Sequence, residues 1–113
     1  MENKRTFTQK LRKMLAARRE KHMQLNDNLE IIYNSNEFKV VEQETKSVYL
    51  SAKGNNEREI RKQCVNQLAI YAGEEAFKNG DISEHEFLNR YLLIAKPILK
   101  AYNSPEIQQS FVS

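Results

Sequence analysis

Residues 78–87, Lys-Asn-Gly-Asp-Ile-Ser-Glu-His-Glu-Phe, hold signals for the end of one helix and the start of the next. Gly80 closes a helical pattern and can take a positive φ without steric cost, the usual way a helix stops. Lys78 sits in the preceding turn, where a cation suits the negative end of the helix. Ser83 offers an N-cap oxygen and Glu86 follows three residues on, the spacing of a capping box. Ile82 and Phe87 flank the cap as a hydrophobic staple. Gly80, Ile82 and Glu86 also match the back half of a calcium loop. Counting back, however, places Phe77 at a ligand position, which requires oxygen, so the stretch reads as a helix corner.

Apolar residues recur at helical spacing on both sides of this corner. Asn56 can cap a helix whose first turn carries Glu57 and Glu59. Ile60, Cys64, Leu68, Tyr71 and Ala72 form its apolar edge, widened by Val65, Ala69 and Ala76. The pattern predicts one helix reaching Asn79, with Gly73 tolerated inside it. After the corner, Phe87, Leu88, Tyr91, Leu92, Ala95, Ile98, Leu99 and Tyr102 repeat the period, with Pro97 among them. Ser104 and Pro105 then open a short last turn bearing Ile107 and Phe111. The expected fold is therefore mainly α, an antiparallel helical hairpin over about 56–103 in a single domain spanning 1–113.

The N-terminal part reads as helical too. Phe7, Leu11, Met14, Leu15, Leu25, Leu29, Ile32 and Tyr33 fall on one stripe at about 100° per residue. That predicts a basic amphipathic helix over 6–34, packed across the hairpin, with 1–5 frayed. Arg18 and His22 stand where the period asks for apolar groups. Residues 37–51 are ambiguous. Phe38 and Val40 alternate, as do Val48 and Leu50, while Phe38, Val41, Thr45, Val48 and Ala52 fit a helical period. β-branched and aromatic side chains tilt the segment towards a small β-hairpin.

Charge separates the arm from the body. Residues 1–23 hold eight Lys and Arg against Glu2 and Glu20, and the rest hold ten against thirteen acids. The positive field belongs to the arm. The densest apolar run is Tyr91–Ala95, too short to span a membrane, and no signal peptide is expected. Cys64 is the only cysteine, which excludes an internal disulfide and suits a reducing cytoplasm. Frequent asparagine suits an AT-rich bacterial or phage gene. His22, His85 and Cys64 lack the spacing of a metal or nucleophile motif, and no phosphate loop occurs. Neither an enzyme, a cofactor nor a metal is expected.

What remains is binding. The expected function is that of a small non-catalytic adaptor or regulator, docking on a larger protein and able to form a homodimer. The alternative is sequence-independent DNA or RNA binding by Lys10, Arg12, Lys13, Arg18, Arg19, Lys21 and His22, through phosphate contacts. Only Phe7 supplies an aromatic near this cluster, which disfavours stacking on single-stranded bases.

Overall fold

A computed structural model of the protein describes residues 19–111. Strands β1 (Lys21–Gln24), β2 (Leu29–Asn34), β3 (Glu37–Glu42) and β4 (Val48–Lys53) are followed by helices α1 (Glu57–Tyr71), α2 (Glu74–Lys78), α3 (Glu84–Tyr102) and α4 (Pro105–Ser110). The strands form one antiparallel sheet in sequence order. The mainly helical expectation is thereby overturned: the described fold is a mixed one, a four-stranded sheet with helices packed on it.

The error lies in residues 21–34, expected as the second half of a long helix. They form β1 and β2 instead. Asn26 turns the chain between them, its Oδ1 accepting from the N–H groups of Asn28 at 2.8 Å and Leu29 at 2.9 Å. This side-chain turn competes directly with helix. Leu29, Ile32 and Tyr33 fit a helical period, but Leu29, Ile31 and Tyr33 fit an alternating one, and Ile31 and Tyr33 are the buried pair. The 6–18 part of the expected helix lies outside the described residues. Asn34 repeats the device at the next turn, accepting from the Asn36 N–H at 2.8 Å. The hairpin expected over 37–51 is present as β3 and β4, with a register shift between Val40 and Val41, but it is part of the larger sheet.

Register brings Ile31, Val40 and Leu50 into one row and Tyr33, Phe38 and Ala52 into the next. These side chains face Ile60, Cys64 and Leu68 of α1, Ala95, Ile98 and Tyr102 of α3, and Ile107 of α4. Each large apolar side chain so buried contributes about 1.5–3 kcal/mol. Phe38 meets Tyr102 edge to face at 5.1 Å, which joins the sheet to the C-terminal end of α3.

The helical layer keeps the expected corner but divides the first helix. Asn56 caps α1, accepting from the Glu59 N–H at 2.9 Å. The helix then stops at Tyr71, because Gly73 turns left-handed at φ 101°. α2 follows this break and its Phe77 stacks on Phe87 at 5.2 Å. Gly80 is left-handed at φ 80°, and Ser83 Oγ accepts from the Glu86 N–H at 3.1 Å. The Glu86 carboxylate pairs forward with Arg90 at 2.8 Å. α3 continues through Pro97 and runs antiparallel to α1, since Tyr102 reaches Glu57 at one end while Gly73 faces Ile82 and Arg90 at the other. No helix among the described residues is long and apolar enough to cross a membrane.

Candidate interaction surfaces

Of the residues expected to bind a partner or nucleic acid, Lys10, Arg12, Lys13 and Arg18 lie outside the described residues. Arg19 precedes β1, and Lys21 and His22 open it; all three are exposed. These last residues stand on a strand and its lead-in, where side chains alternate between faces. Lys21 pairs in register with Tyr33 on the core side, and His22 with Ile32 on the outer side. The two therefore do not form one patch.

The outer face of the sheet is a set of compensated polar pairs. His22 Nδ1 is bound to Glu30 Oε1 across β1 and β2. That hydrogen bond holds the Glu30 carboxyl below its usual range, against the opposing effect of desolvation. Lys39 lies 3.2 Å from Glu37 and 3.8 Å from Glu20. The amides of Gln24 and Gln43 exchange hydrogen bonds at 2.7 and 3.1 Å. Arg19 and Lys21 make no ion pair among the described residues.

At the opposite edge, α1 lies along β4. Gln67 Oε1 accepts from the Ser51 N–H at 3.0 Å, and Gln63 Oε1 accepts from the Lys53 N–H at 2.8 Å. Beyond this seal the surface turns apolar. Tyr71 stacks on Tyr49 with ring centroids 4.7 Å apart and planes within 4°. Tyr71 is 47% exposed, and Val48 and Ile70, the chain neighbours of Tyr49 and Tyr71, are 56% and 60% exposed.

A second apolar feature lies on α3. Leu92 is 60% exposed and Leu93 80%. With Asn89, Lys96 and Pro97 they line a shallow groove of about 510 Å³. A third cleft, about 690 Å³, opens where β4 meets α1 and is lined by polar groups including Asn36, Gly54, Asn55 and Glu59. Its walls already bond each other: Asn36 Nδ2 donates to the Gly54 carbonyl at 3.2 Å and the Asn55 N–H donates to Glu59 at 2.7 Å.

Cys64 is fully buried in the core, and burial pushes its thiol up to about 12. It stays protonated at neutral pH and lacks the thiolate a nucleophile requires. No group of three or more His, Cys, Asp or Glu among the described residues could hold a metal ion.

Helical periodicity placed Tyr71 and Leu92 on buried arcs, yet both are largely exposed. Leu93 carried a usable signal. It sits inside the unbroken apolar run 91–95, and consecutive helical residues cannot all face one side. No protein-family model matches the chain, and no curated protein or solved structure matches it.

Proposed function

We propose that this chain is a small, non-catalytic adaptor or regulator that binds a larger protein through the apolar surface around the Tyr49–Tyr71 stack. One observation carries the reading: Val48, Ile70 and Tyr71 expose large apolar area beside a rigid aromatic pair. Aromatic anchors set among aliphatic side chains are what partner-binding surfaces concentrate. The surface rests on well-supported backbone, because the glutamines of α1 hold β4 in place one turn away. The basic arm assists by orienting an acidic partner during approach. A cytoplasmic setting belongs to the same reading, supported by a single cysteine that is buried as a thiol.

The test is capture of a partner from host lysate by wild type and by Ile70→Glu, with and without nuclease. The reading expects a partner that survives nuclease and is lost with Ile70→Glu. Retention of the same partner by Ile70→Glu and Val48→Glu overturns it.

A second reading rests on Arg19 and Lys21, exposed and unpaired among the described residues and continuous with the basic arm. In that reading they contact nucleic-acid phosphates without sequence preference, with binding that falls steeply as salt rises. Loss of capture on nuclease treatment, and a gel shift abolished by Arg18→Glu with Arg19→Glu, would favour it.

A further inference from the structure

We propose that α3 is a homodimer interface, packed antiparallel against α3 of a second copy about a two-fold axis beside Leu92 and Leu93. Leu93 is 80% exposed on the side of α3 away from Ala95, Ile98 and Tyr102, and no other described residue covers it. At 100° per residue, Asn89, Leu92, Leu93 and Lys96 share one outward stripe, and they line the groove together with Pro97.

The stripe is self-complementary, as a two-fold interface requires, because each contact is made twice with the roles exchanged. An axis between Leu92 and Leu93 gathers the leucines of both copies at the centre. It sets Asn89, a polar amide, against the Lys96 ammonium of the other copy. One turn further out, Glu86 falls opposite Leu99, one residue from Lys100 and within reach of its ammonium, so that acid meets base at both ends. Glu86 is tied to Arg90 on its own helix, which holds its carboxylate at the rim of the stripe. Packing α3 parallel would instead set Glu86 against Glu86 and Lys96 against Lys96, so the charges select the antiparallel arrangement. The groove offers the hole that a leucine knob of the facing helix fills. This face is separate from the Tyr49–Tyr71 surface, so either proposal can fail alone.

The experiment is sedimentation equilibrium of the full chain from micromolar to near-millimolar concentration. The expected species has twice the 13.3 kDa chain mass. Leu93→Glu should be monomeric with an unchanged circular-dichroism spectrum, because the side chain it replaces is exposed. Glu86→Lys and Lys100→Glu should each weaken the dimer at least tenfold, and the two in one chain should restore it.

Cysteine cross-linking checks the register, since the native Cys64 is buried. Leu92→Cys should form a disulfide-linked dimer under mild oxidation. Asn89→Cys should not, because the axis separates the two copies by about 10 Å along the helix, beyond the roughly 7 Å that a disulfide spans. A chain that stays monomeric throughout overturns the proposal. So does a dimer indifferent to Leu93→Glu, or equal cross-linking at positions 89 and 92.

Discussion

Gln67 of α1 grips Ser51 of β4 by both backbone groups: its Oε1 accepts from the Ser51 N–H, and its Nε2 donates to the Ser51 carbonyl. A primary amide has the same donor–acceptor pair as a peptide unit, so Gln67 serves as a local fifth strand. Gln63, one turn earlier on the same helix face, does the same for the Lys53 N–H. The sheet edge under α1 thus has partners where a bare edge would invite another chain. Gln67→Ala should cost about 1–3 kcal/mol, because it strands two half-buried backbone groups. A lowered urea midpoint checks the cost, and faster amide exchange at Ser51 shows that the loss is at this edge.

The residues that shape this edge explain why no more of the sheet than the β3–β4 hairpin was legible. Gln63 and Gln67 read as polar positions on an amphipathic helix, which they are. Nothing local shows that their amides complete a strand. Asn26 and Asn34 were more informative, since each is a short side chain able to turn the backbone, but asparagine is tolerated on a helix surface as well. The Gly80–Ser83 corner was legible because every signal there acts within a few residues. The break at Gly73 was not, because a glycine inside a helical pattern is equally compatible with a continuous helix, and contacts such as Phe77 on Phe87 exist only in the folded chain. The Tyr49–Tyr71 surface could not be read directly, since helical period alone does not say which arc a sheet will cover, whereas the unbroken run 91–95 did signal that part of α3 faces outward.

Tyr102 closes the far end of the helical pair. Its hydroxyl donates to Glu57 Oε1 at 3.0 Å and lies 3.3 Å from the Glu57 carbonyl, while Arg61 sits over its ring at 5.4 Å. Tyr102→Phe keeps the ring against Phe38 and removes only the hydroxyl. The expected loss is about 1–2 kcal/mol, read as a shift in the urea midpoint with an unchanged slope.

Gly73→Ala and Gly80→Ala separate backbone strain from crowding. Both glycines are left-handed, so each substitution should cost about 1 kcal/mol in strain alone. At Gly80 an added Cβ meets nothing within 4 Å, whereas at Gly73 it would lie 3.2 Å from Ile82 Cδ1. Gly73→Ala should therefore be the more destabilising of the two in thermal melts. Equal melting temperatures would mean that Ile82 yields freely.

Cys64 makes the protein sensitive to alkali. Burial raises its thiol from 9.0 to about 12, so the folded state disfavours the thiolate that the unfolded chain forms readily. The folded pKa lies above the unfolded one. The associated stability is thus complete below about pH 9 and is lost as pH climbs towards 12. Burial raises Tyr102 in the same direction, with the Glu57 hydrogen bond adding to it. Urea midpoints taken from pH 8 upward should fall for wild type and fall less steeply for Cys64→Ala. At neutral pH the same variant should lose on the order of 1 kcal/mol, from the small cavity alone.

His22 and Glu30 act on the opposite, acidic side. The His22 hydrogen bond lowers the Glu30 carboxyl below 4.5, despite desolvation acting the other way, so folding favours its ionised form. A depressed folded pKa stabilises the protein above the unfolded value, and that contribution disappears as pH falls through the folded one. In His22→Ala, carbon-detected titration should find Glu30 shifted upward towards the ordinary carboxylate range. The variant should be less stable than wild type at pH 5.5, with the difference narrowing as pH falls through the folded Glu30 pKa and the carboxylate becomes protonated in both. Because His22 and Glu30 join only β1 to β2, the change in exchange rates should be confined to those strands. If Glu30 titrates identically in both proteins, the cross-strand pair does not govern this carboxylate in solution.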